Sequence, residues 1–150
     1  VTLVAVWLHV LGAIVWLGGV AWQAHALGAA ARRGQAAALA ESAARARPVA
    51  WTALSLLVLT GLYNVTRLGP AERVMESGAG LALAGKFLLV LALIALAGPR
   101  DFTQVPRLRR ALATGQDPRP ALRAIAWLDR LTLLLGAAIV YLGLLVSRTA

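Results

Sequence analysis

Four long apolar runs, separated by segments that collect nearly all the charge, set the pattern of this chain. They cover residues 2–27, 49–66, 80–97 and 127–146, each close to the roughly 20 residues a helix needs to cross a hydrocarbon core. The pattern predicts an all-α, integral membrane four-helix bundle, with residues 1–150 as one four-span transmembrane domain. The first helix is expected to run on towards Ala31, because Ala29, Ala30 and Ala31 are strong helix formers. Pro48 suits the first turn of the second helix, and Gly98-Pro99 reads as the stop of the third. Residues 105–114 suit a short interfacial helix inside a connection broken by Pro106, Pro118 and Pro120. The first run lacks a preceding basic stretch and a small-residue cleavage site, which predicts a retained helix rather than a signal peptide.

Composition agrees with this picture, and charge orients it. Of the 150 residues 60% are hydrophobic and only 14% charged, with a mean hydropathy of +0.75. The net charge of +9 does not imply nucleic acid, since the arginines fill gaps between apolar runs instead of interleaving with aromatics on a soluble surface. They work better as topology determinants. Segments 28–48 and 98–126 carry most of the Arg, so the positive-inside rule places both in the cytoplasm and both termini on the outer side. Trp7, Trp22, Trp51, Trp127 and Tyr141 fall near span ends, as an aromatic belt requires, whereas Trp16 is close to mid-membrane.

Few residues offer chemistry. No cysteine is present, which excludes disulfides and thiolate metal sites. Phosphate-binding, dinucleotide, zinc-protease and nucleophile-elbow motifs are missing, and no two carboxylates share a predicted depth, which argues against acid–base hydrolysis. An ionisable side chain inside a span is costly and is a functional-site candidate by default. His9 lies about 10 Å below the outer end of the first span, and Lys86, the only lysine, about 9 Å below that of the third. Their equal depth lets them converge on one site; the alternatives are a Lys86 that snorkels to the interface and a His9 bonded to a backbone carbonyl. His9, Gly12, Trp16, Gly19 and Gln23 share one helix face, open to a second helix or a flat ligand. Thr60, Tyr63, Asn64 and Thr66 reach the same level on the second span. The candidate cofactor-binding residues are therefore His9, Lys86, Trp16 and Asn64, with His9 as the candidate metal ligand. His25 points to nearly the opposite face, and Asp129 reads as a local partner of Arg130 or a helix N-terminal charge. One imidazole can hold a haem iron, whereas a full copper(I) site needs more soft ligands than one Met and two separated His supply.

At these residues the chain resembles the copper resistance D (CopD) family of bacterial membrane proteins. The resemblance is carried by WLHVLGAIVWLGG (7–19), by RPVAWTALSLLVLTGLYNV (47–65) and by GKFLLVLALIAL (85–96). The chain departs from the family where Gly98-Pro99-Arg100 replaces a common Asn-Arg, and where Asp129 stands for a common Glu. A more distant likeness is to the HemJ type of protoporphyrinogen oxidase, whose His and Lys fall on His9 and Lys86. The CopD resemblance implies membrane handling of copper, commonly beside a periplasmic copper-binding partner; with the lone imidazole suited to haem, the expectation is non-enzymatic copper or haem handling, with haem b or copper as the bound species, in a bacterial cytoplasmic membrane. The alternative is an accessory or assembly subunit of a larger respiratory complex; porphyrinogen oxidation is a third reading. Expected partners are the lipid bilayer and either a larger membrane complex or a second copy of the chain, not nucleic acid.

Overall fold

Each of the apolar runs grows into a helix longer than a bilayer is thick. The computed structural model describes residues 2–67 and 78–149, and among them only helices and short turns occur. Helix α1 (Thr2–Trp22) widens into a π-helical turn at Gln23–Leu27 and continues as α2 (Gly28–Arg32). A three-residue turn leads to α3 (Ala36–Val65). Helix α4 (Gly78–Pro99) widens in turn at Arg100–Gln104 and continues as α5 (Val105–Thr114). Gly115, in the left-handed region at φ 70°, caps α5, and α6 (Arg119–Thr149) completes the chain. The polar segment with Gly69, Pro70, Glu72, Arg73, Met75 and Glu76 lies outside the described residues.

The four continuous helices run for 26 to 32 residues, and each is long and apolar enough to cross a membrane. At 1.5 Å per residue they are about 40–48 Å long, against a hydrocarbon core of about 30 Å. The excess emerges at the end that carries the turns at Arg33 and Gly115, and there it forms a core of its own. Leu39, Val105, Leu108 and Ile125 are almost fully buried in it, with Ala31, Ala36, Ala40 and Ala43 filling the gaps between helices. Exposed arginines (Arg32, Arg33, Arg45, Arg107, Arg109, Arg110, Arg119 and Arg123) surround this layer. In water, burying a Leu, Ile or Val stabilises by about 1.5–3 kcal/mol each, so this layer has a driving force that the lipid-embedded part lacks.

The embedded part relies on close packing. Helix α1 lies along α3 and touches α6, while α4 lies along α6. A second core, Trp16, Ala53, Leu54, Leu93 and Ala97, fills the interior. Gly12 permits the α1–α3 approach: a Cβ there would stand 3.1 Å from Leu57 Cγ and 3.3 Å from the Ala53 carbonyl. The two halves echo each other. The interval from His9 to the wide turn at Gln23 equals that from Lys86 to the wide turn at Arg100.

Several expectations are corrected. Pro48 does not open a helix but sits inside α3, and Gly98-Pro99 does not stop one. Proline lacks the N–H of the helical ladder, and at Pro99 the helix accommodates the loss by widening directly afterwards. Segments 28–48 and 98–126 are consequently not loops; they are mostly helix joined by short turns. The extension to residue 32 and the helix at Val105–Thr114 agree with the pattern, although the latter is continuous with α4.

Candidate functional site

Helices α1 and α3 bring His9 against Thr60. The imidazole Nδ1 is 2.9 Å from the threonine Oγ1, and that hydroxyl donates its single proton to the Leu56 carbonyl at 2.6 Å. Thr60 must therefore accept from His9, which fixes the proton on Nδ1 and leaves the Nε2 lone pair free. Gly61 makes room for the ring: a Cβ there would come within 3.2 Å of His9 Cε1. An imidazole oriented through one nitrogen, with the other unprotonated, is the arrangement that metal-binding histidines use.

Lys86 on α4 is half-buried, with its Nζ beside Gly143 of α6, and it is close enough to His9 for its charge to act on the ring. Asn64 lies one turn beyond Thr60 on α3, about 6 Å along the axis. Its Oδ1 is buried and has no hydrogen-bond partner among the described residues. His9, Lys86 and Asn64 thus sit in one half of the bundle. Trp16 does not join them; it is 4% exposed, belongs to the embedded core and walls a cavity nearer the turn end. His25 is exposed. Among the described residues no three His, Cys, Asp or Glu side chains gather to hold a metal. His9 lines neither the cavity beside Trp16 nor the open apolar groove along α1 and α3 around Gly12 and Pro48.

A second polar group was not foreseen. Arg100, 7% exposed, lies between the two cores. Its Nε donates to Asp129 Oδ1 at 2.5 Å, its Nη1 to Asp101 Oδ1 at 2.6 Å, and its Nη2 to Gln23 Oε1. Trp51 donates its indole N–H to Asp101 Oδ2 at 2.9 Å and packs against Phe102 with the two ring planes tilted by 47°. Asp129 is therefore neither a helix N-terminal charge nor a partner of Arg130; it lies well inside α6, 1% exposed, bound to Arg100. Two carboxylates do share a depth, and Trp51 serves that cluster and not only the membrane interface. The sequence held one signal: Arg100-Asp101 ends the third apolar run and Asp129 begins the fourth, opposite charges at the same end of the bundle.

The fold and these sites define a multi-pass α-helical membrane protein with a small polar interior, built as two antiparallel helix pairs. Within that class the family is identifiable. The model of the copper resistance protein D family matches residues 40–146, more than half of the chain, and the chain belongs to that family. No curated protein and no solved structure matches it.

Proposed function

We propose that this chain handles copper as a cargo in a bacterial cytoplasmic membrane, with His9 as its point of capture in the outer half of the bundle. The observation that carries the reading is the fixed tautomer: Thr60 accepts from Nδ1 and leaves Nε2 as an unprotonated imidazole donor, a ligand type that copper takes. Family membership supports copper as the metal. The donor set suits passage over storage. One imidazole and the Asn64 oxygen are few ligands, and the Lys86 ammonium within electrostatic range opposes a resident cation. Weak retention is what a transfer site needs. The arginine-bearing turn end is then the cytoplasmic side, and the His9 end faces out, by the positive-inside rule.

Copper(I) titration of protein in lipid nanodiscs, against a competing chelator, tests this reading. The expected result is one copper per chain through nitrogen, lost in His9→Ala. No copper uptake by the folded protein would overturn it. A Soret band in the purified protein, with α and β bands after dithionite reduction, would replace copper by haem with His9 as axial ligand.

A further inference from the structure

The cluster around Arg100 has no part in the copper reading, yet it holds the most heavily buried charges among the described residues. Counted over direct contacts, one guanidinium faces two carboxylates, Asp101 and Asp129. Gln23, from the π-turn after α1, is neutral. From α3 the charged group is Arg47, whose guanidinium sits 5.2 Å over the Phe102 ring and forms no ion pair with either carboxylate. Arg123 and Arg130 of α6 are exposed. The contact set therefore carries one negative charge in excess, in surroundings where an uncompensated charge is expensive.

The excess has a location. Asp129 Oδ1 is tightly held, but its Oδ2 has only a long 3.5 Å approach from Arg100 Nη2. Three residues on, and so on the same face of α6, Thr132 is 3% exposed and its Oγ1 has no hydrogen-bond partner among the described residues. Helical threonines commonly return the hydroxyl to the carbonyl one turn back, as Thr60 and Thr114 do here; Thr132 does not. Both residues line one cavity of about 80 Å³, together with Gln23, Arg100 and Asp101. It has room for about two waters and enough polar groups to hold them.

We propose that this cluster is a proton-binding site, in which Asp129 holds one exchangeable proton on its cavity-side oxygen Oδ2 and water in the cavity hydrates it. Hydronium delivers the proton to a carboxylate oxygen and leaves as water; only O–H bonds change, and no redox partner is involved. A metal ion is the poorer guest, because the Arg100 guanidinium already occupies an oxygen of each carboxylate. The site is separate from His9 and its test contains no copper, so this proposal and the copper reading can fail independently.

The experiment is infrared difference spectroscopy of the full chain in lipid nanodiscs, in water and in heavy water. At neutral pH, where solvent-exposed carboxylates are ionised, a carboxylic acid C=O band of one group per chain is expected. It should shift in heavy water and vanish in Asp129→Asn. Thr132→Val, which leaves every charge in place, should move the band by removing a hydration partner. A folded wild-type protein without the band would overturn the proposal, even if Asp129→Asn does not fold. So would a band that survives Asp129→Asn, one that sodium abolishes at constant pH, or one that Thr132→Val leaves unmoved.

Discussion

His9 and Thr60 meet across the α1–α3 interface with Nδ1 and Oγ1 2.9 Å apart, and the direction of that bond is set by a third group, the Leu56 carbonyl. A backbone acceptor two helical turns from any loop thus decides which nitrogen of the histidine is free. Thr60→Val keeps the shape of the side chain but removes the acceptor. Copper(I) affinity is expected to fall about tenfold, the usual effect of losing the group that orients a ligand. Thr60→Ser should retain it. Chelator competition on the three proteins measures the series.

Breaking the buried ion pair is expected to be the most damaging single change. Arg100→Met strands two carboxylates, whereas Asp129→Asn leaves Arg100 paired with Asp101. Removing one partner of a buried pair costs about 3–5 kcal/mol. Arg100→Met should therefore lower the unfolding midpoint in detergent well below that of Asp129→Asn.

Trp51→Phe separates two roles of one residue. The ring still packs against Phe102, but Asp101 Oδ2 loses its donor. A loss of about 1–3 kcal/mol is expected from the unsatisfied buried oxygen. Chemical denaturation measured against Trp51→Leu, which loses both, gives the share due to the hydrogen bond.

Gly12→Val tests the close approach of α1 and α3. The added atoms would press on Leu57 and on the Ala53 carbonyl, and the backbone cannot move aside as a side chain can. Overpacking of this kind costs about 1–3 kcal/mol. Because α3 also carries Thr60, the variant should weaken copper binding as well as lower the thermal midpoint.

Glu41→Ala is the contrasting case. The Glu41–Arg45 pair is close, at 2.5 Å, but both side chains are exposed on the projecting part of α3. Its removal should change the midpoint by an amount equivalent to about 0.5 kcal/mol or less.

The legibility of these features in the sequence follows the range of the forces behind them. Four apolar runs and the alanines after Leu27 are local patterns, and they predicted the helices. The depth of His9 and Lys86 followed from counting residues along two parallel spans, and the structure puts the two in electrostatic range. The helix continuing through Pro48 and Pro99 was not legible, because proline's local penalty is offset by contacts from other helices, notably those of Val105 and Leu108 beyond Pro99. Nor was the Arg100–Asp129 pair. Arg130, adjacent in sequence, was a nearer partner for Asp129, but it projects outward from α6, while Arg100 arrives from a different helix.

The widened turns at Gln23–Leu27 and Arg100–Gln104 have a consequence for how such chains tolerate insertions and deletions. A π-turn takes in one residue more than an α-turn while the helix on either side keeps its rotational setting. Deleting one residue there can return the turn to α-geometry with both flanks still facing their old neighbours. The same deletion between His9 and Trp16 would rotate half a span by about 100° and turn its packed stripe towards lipid. Length variation among proteins of this architecture should therefore concentrate at these two turns, one residue at a time, and leave the stretches that lead from His9 and Lys86 to them unchanged in length.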